Sequence, residues 1–179
     1  MLQKILTRIN MESKKLENLR RKIIEDCSIK SWQDVWFYPE YRGVKGWMGT
    51  QDIIFVGSNP SYNVFPTNYT NFFYKQLKAN GFDKAHLTDL IKIRSTNADA
   101  DRIIQDNLES QTKYLQEELE IVKPKLIVVM GNRCQQFFEE LDYKEYITII
   151  HYSSIRFPRN EERFIKDMRG IRKRYFAQS

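Results

Sequence analysis

Asn59 and His151 each stand just past an apolar run, with hydroxyls beside them. The first run and its continuation, Asp52 to Phe65, read DIIFVGSNPSYNVF: apolar residues climb to Gly57 and stop at Ser58-Asn59-Pro60. A run cut off by Gly, Asn and Pro marks a buried strand followed by a sharp turn. In an open parallel sheet, ligands bind at the carboxyl end of such a strand. The second run, Tyr146 to Ile150, opens into His151-Tyr152-Ser153-Ser154. A carboxamide, an imidazole and several hydroxyls can orient a small polar molecule and donate hydrogen bonds to it. A turn that merely changes direction, stabilised by the Asn59 side chain, accounts for the first motif equally simply.

Several chemistries are excluded by missing patterns. GSNPSYN lacks the third glycine of G-x-G-x-x-G, and G-x-x-x-x-G-K-[ST] does not occur, so dinucleotide and nucleoside triphosphate sites lose their main support. The serine-hydrolase elbow G-x-S-x-G is also absent. His86 and His151 are the only histidines, and the pattern puts them on opposite edges of a sheet, which weakens a metal hydrolase. Cys27 and Cys134 lie far apart, too few for a four-cysteine zinc or iron-sulfur site, and suit a reducing cytosol. No metal or cofactor is therefore expected.

The elements that must carry these residues are set by periodicity. Leu16, Leu19, Ile23 and Cys27 form one apolar helix face, succeeded by an aromatic and glycine-rich connection from Ser31 to Thr50. Strands are predicted at Asp52 to Val56, His86 to Ile91, Leu126 to Met130 and Tyr146 to Ile150. Helices are predicted at Tyr69 to Asn80, with Phe72, Phe73 and Leu77 as core positions, at Ile103 to Val122, at Asn132 to Leu141, and at Glu161 to Ala177. Strands alternating with helices imply right-handed parallel crossovers, hence an α/β fold: a three-layer α/β/α sandwich around a central four-stranded parallel sheet. The segments at Gly57 to Pro60, Gly131-Asn132 and His151 to Ser154 should share one sheet edge. The 179 residues are expected to form one domain, with a motif-bearing core at 51–160 flanked by an N-terminal helix and loop (1–50) and a basic terminal helix (161–179).

Hydrophobic residues make up 41% and aromatic residues 13%, enough for a real core. No segment reaches the length of a membrane span, and MLQKILTRIN is too short and polar for a signal peptide, so a cytoplasmic monomer is expected. The net charge of +6 is uneven: residues 1–30 carry eight Lys/Arg against four acids, and residues 156–179 carry eight against three. A phosphate polymer would explain basic ends, and so would two solvated helix faces.

With these elements in order, the chain resembles the uracil-DNA glycosylase superfamily, and within it the mismatch-specific uracil and thymine glycosylases. Gly57-Ser58-Asn59-Pro60 is similar to that branch's G-I-N-P motif, and Thr70 to Lys75 with Asn80-Gly81-Phe82 resembles the helix after that motif. His86-Leu87-Thr88-Asp89-Leu90-Ile91-Lys92 resembles the second strand, Lys123-Pro124 through Gly131 the third, and His151-Tyr152-Ser153-Ser154-Ile155-Arg156 the closing H-P-S or N-P-S motif. The likeness covers roughly residues 50 to 160.

The resemblance implies a glycosylase that hydrolyses the N-glycosidic bond of a flipped, deaminated base such as uracil in DNA, a step of base excision repair. It implies that Asn59 holds the attacking water and that His151 donates to the base oxygen where charge develops. Gly57, Ser58, Pro60 and Ser61 would line the base pocket, Asp89 would be its polar contact, and Phe65, with Phe72 as the fallback, would stack on the base. Ile155 matches an intercalating leucine, with Ser153, Ser154 and Arg156 beside it against DNA, and the basic tail would meet phosphates. Two departures stand out: Ser61 replaces a glycine, and Tyr152 replaces the proline of H-P-S. A catalytically inactive nucleic-acid-binding protein of the same fold is the alternative, and chemistry on a free nucleotide a third.

Overall fold

The computed structural model describes residues 2–29, 34–141, 143 and 145–177; Ser31 to Gln33 of the aromatic connection fall outside these. Four strands, β1 (Gln51–Gly57), β2 (Ala85–Asp89), β3 (Leu126–Met130) and β4 (Ile147–Ile149), pair in the order β2-β1-β3-β4. Every pairing is parallel, as the alternation of elements predicts. The helices are α1 (Leu2–Ile29), α2 (Asn68–Ala79), α3 (Ala100–Val122), α4 (Asn132–Glu139) and α5 (Pro158–Ala177).

β1 is central because its side chains can be covered on both faces. Ile53 and Phe55 join Phe73, Leu77, Phe164, Met168 and Ile171 from α2 and α5 on one face. Ile54 and Val56 join Ile104, Leu115, Cys134 and Phe138 from α3 and α4 on the other. A strand buried on both sides reads as an unbroken apolar run rather than an alternation. α1 adds a further layer through Leu19, Ile23 and Cys27 against Trp47 and Tyr114.

Local chemistry sets the boundaries. Thr67 and Thr70 close a reciprocal capping box at the start of α2, and Gly81, at φ +79°, turns the chain after it. Lys123 adopts a left-handed conformation ahead of Pro124 and stops α3. α5 begins earlier than its periodicity predicts, because Pro158 fits a first helical position where an N–H has no partner anyway. β2 ends before its apolar run does: Leu90, Ile91 and Ile93 leave the strand to fill the α3 side of the core. Of the core positions expected on α2, Phe73 and Leu77 are buried, while Phe72 is half-buried and Tyr74 takes the other interior place.

A charged cluster lies inside the protein. Lys92 is 1% exposed and Glu118 0%, and the ammonium sits 2.8 Å from Glu118 Oε1. Lys92 Nζ also donates to Thr88 Oγ1 at 2.7 Å and to the Asp89 carbonyl, while His86 Nε2 lies 3.0 Å from Glu118 Oε2. This cluster pins the end of β2 to α3. Removing one partner strands a buried charge, which costs far more than losing the pair together. Glu118→Ala should lower unfolding free energy by about 3–5 kcal/mol in urea titrations, and pairing it with Lys92→Met should recover much of that loss.

Candidate active site

The register places the strand ends level. Gly57 pairs with Asp89, Val56 with Val129 and Met130 with Ile149, and the Gly131 amide donates to the Ile149 carbonyl at 2.8 Å. The turns carrying Asn59 and His151 therefore leave the same edge, from strands two spacings or about 10 Å apart. His86 lies within β2 and is buried on the α3 side, away from that edge. Gly131, at φ +87°, allows the closing segment to settle there: a Cβ would fall 2.9 Å from the His151 Cβ.

The Asn59 amide is held from one side. Its Nδ2 donates to Ser95 Oγ at 2.6 Å and to the Pro60 carbonyl at 3.2 Å, and Ser58 Oγ donates to Oδ1 at 3.4 Å. Both amide protons are thus engaged while Oδ1 keeps acceptor capacity. The turn itself is stapled to the segment after β2: Ser95 N donates to Pro60 O at 3.0 Å, and Arg94 donates to the Ser61 and Asn63 carbonyls at 2.8 and 3.0 Å. Pro60 is buried and Ser61 exposed. Ser95 was invisible to sequence reasoning, because nothing in its spacing links it to a residue 36 positions earlier.

Asp89 is 3% exposed at the end of β2. A Cβ on Gly57 would lie 2.3 Å from Asp89 Oδ1, so glycine is required for the carboxyl to fold across β1. Tyr38 Oη donates to Oδ1 at a long 3.5 Å and lies 3.3 Å from Tyr152 Oη. Burial, only partly offset by Lys92 and reinforced by Glu118, pushes the carboxyl up to about 7. Burial raises both phenols too, so they remain donors. The Tyr152 ring lies flat on Phe73, with centroids 4.7 Å apart and planes within 8°.

His151 presents one free donor. Its Nδ1 accepts from the Ser153 amide at 3.2 Å and lies 2.7 Å from Ser153 Oγ, which leaves the ring proton on Nε2. Desolvation, with Arg133 nearby, lowers the imidazole to about 4, so it is neutral at physiological pH.

The remaining candidates divide. Phe65 is half-buried among Trp36, Tyr41 and Tyr74, and the Phe72 ring meets Phe164 of α5 at 5.7 Å. Ser154 caps inward, its carbonyl accepting from Asn160 at 2.9 Å. Ile155, whose match to an intercalating leucine implies an exposed side chain, instead packs partly against the core. The outward apolar groups at this edge are Tyr62 (51% exposed), Val64 (86%) and Phe157 (55%). Arg94 lies 5.5 Å over Tyr62, and Arg156 5.0 Å over Phe157. A shallow depression of about 450 Å³, lined by Arg42, Lys75, Lys78 and Ala79, sits on the outer face of α2 instead.

The basic end of α5 lies elsewhere. Tyr175 donates to Asp52 at the start of β1, and Phe176 stacks on Phe82, so Arg172 to Arg174 sit at the amino edge of the sheet. The tail expected to meet phosphates thus has its terminal cations at the sheet edge opposite the motifs. It faces away because the apolar stripe Phe164, Met168, Ile171 and Tyr175 fixes how the helix runs back across the sheet.

The Asp89 carboxyl gives a pH signature. Its value in the folded protein lies above the ordinary 3.8, so its contribution to stability is complete below about pH 4 and is lost as pH rises through about 7. Asp89→Asn removes that loss. In urea unfolding, the variant should gain on the parent between pH 4 and 7 by on the order of 4 kcal/mol.

Among the described residues, no group of three or more His, Cys, Asp or Glu is placed to hold a metal ion, and no helix is long and apolar enough to cross a membrane. No curated protein matches the sequence. Residues 48–169 match the profile of the Uracil DNA glycosylase superfamily, a span that begins just before β1 and ends within α5. With the parallel β2-β1-β3-β4 sheet and the three motif-bearing strand ends on one edge, that match over most of the chain means that the protein belongs to the uracil-DNA glycosylase superfamily.

Proposed function

We propose that the protein is a DNA glycosylase related to the mismatch-specific branch, which hydrolyses the N-glycosidic bond of a flipped deaminated base such as uracil. The observation that carries this reading is the pairing, on one edge, of an amide whose protons are both engaged with a neutral imidazole whose Nε2–H is free. Asn59 Oδ1 accepts a hydrogen bond from a water and aims its oxygen at the anomeric carbon. The C–N bond breaks, its electron pair leaves with the base, and the water's oxygen joins the sugar while its proton passes through solvent to the departing base anion. His151 Nε2–H donates to the base oxygen that gains charge, and Asp89 meets the base's polar rim. With an amide in place of a carboxylate base, turnover is slow and depends on stabilising the leaving group. The exposed pairs Arg94–Tyr62 and Arg156–Phe157 suit phosphates and unstacked bases.

A second reading, a DNA-binding protein of this fold without chemistry, is favoured by the Tyr152 ring lying beside His151. The two separate in one assay. On a uracil-containing oligonucleotide, the glycosylase leaves alkali-labile abasic sites, whereas a pure binder retains the DNA uncut.

Asn59→Ala and His151→Ala should each lower single-turnover excision about 100-fold, and Ser95→Ala by about 10-fold through loss of amide orientation. Because the imidazole titrates near 4 and the Asp89 carboxyl near 7, any inflection of the rate between about pH 6 and 8 should come from Asp89 and vanish in Asp89→Asn. An inflection that persists in Asp89→Asn and is lost in His151→Ala would remove the neutral His151 from the proposed role. For binding, Arg156→Ala with Arg159→Ala, the latter an exposed arginine in the first turn of α5, should reduce the salt slope by about 0.9 for each phosphate no longer neutralised, while Ala at Arg172, Lys173 and Arg174 should leave it unchanged.

A further inference from the structure

Tyr152 occupies a position that a nucleobase could take. One face of its ring covers Phe73, which is fully buried, in the parallel geometry of a stacked base. Its oxygen reaches the Tyr38 hydroxyl, which in turn faces Asp89. The ring is therefore bounded by a flat aromatic floor and by a polar rim of one phenol and one carboxyl. A six-membered ring with one oxygen at its margin has the outline of a pyrimidine carrying an exocyclic carbonyl. The imidazole of His151 lies next to it, 4.1 Å between centroids. The floor and the rim belong to α2, to the segment before β1 and to β2, whereas Tyr152 begins a short 3-10 helix, Tyr152–Arg156, in which no residue is fully buried. The occupant thus belongs to a partly exposed segment, whereas the residues that form the slot are buried.

We infer that Tyr152 is a resident stand-in for the base: its phenol ring fills the slot between Phe73, Tyr38 and Asp89, and a pyrimidine enters only when this ring swings out. This rests on reading the edge as a base pocket. Tyr152 then acts as a threshold on binding, a positioning and selectivity device rather than a group that touches reacting atoms. A base still stacked and paired in a duplex lacks the free energy to displace it, while one already loosened by a mismatch does so more readily.

The test needs no turnover. Uracil, as the free base, is titrated into the full chain and its affinity read by ligand-observed NMR, with the unfolding temperature followed at saturating uracil. Tyr152→Ala should bind at least tenfold more tightly than the parent and gain more unfolding temperature from uracil, and Tyr152→Phe should match the parent. If the alanine variant does not fold, Tyr152→Leu serves, with a smaller gain in the same direction. A folded alanine or leucine variant that binds uracil no better than the parent overturns the inference. Parent protein that excises uracil alongside such a variant leaves the glycosylase reading standing and the stand-in gone. Tighter binding by the variant, with no excision by the parent, supports the stand-in and removes the chemistry.

Discussion

Backbone hydrogen bonds between parallel strands bring the chain reversals to one edge, and every candidate contact depends on that common level. The pairing of Gly57 with Asp89 is its tightest point, since a single methyl group at position 57 would collide with the carboxyl. Register in a sheet buried on both faces is strongly specified, because slipping by one residue would exchange the side chains presented to the two cores. The same constraint that makes the interior unique therefore also sets where the amide, the carboxyl and the imidazole emerge.

The two faces of the sheet solve different problems. The α2 and α5 side is nearly all apolar and aromatic, and its rings continue from Phe55 through Phe73 to Tyr152 at the edge. The α3 side holds the Lys92, Glu118 and His86 cluster, which gives directional contacts where oily packing alone would allow sliding. Lys92 joins the two by gripping the Asp89 backbone from behind while the Asp89 side chain faces forward. A carboxyl held partly protonated near neutrality thus rests on a charged cluster that never meets solvent.

Most of the fold was legible because it is written in local patterns. The run at Leu126 to Met130, the helical periodicity from Tyr69 to Asn80 and the Lys123-Pro124 stop need only neighbours a few residues away to be understood. The edge itself was half legible. Asn59 and His151 stood out by type, and Gly57 and Gly131 by position, yet their partners come from far along the chain: Ser95 for the amide, Tyr38 for Asp89, Phe73 for Tyr152. No spacing rule reaches across 36 or 51 positions, so these contacts emerge only once the helices are packed. The misjudged exposure of Ile155 has the same origin, since an isoleucine in a short polar segment gives no sign of the core beneath it.

The direction of the last helix carries a consequence for how the molecule meets a polyanion. Over its 20 residues α5 runs about 30 Å from the motif edge, while fields in cellular salt decay within about 8 Å. Cations at its far end are therefore electrically blind to anything seated at the strand ends. Their charge lends that edge no preference for one orientation of a polyanion over another, so any such preference has to come from cations beside the near end of the helix, Arg156 among them.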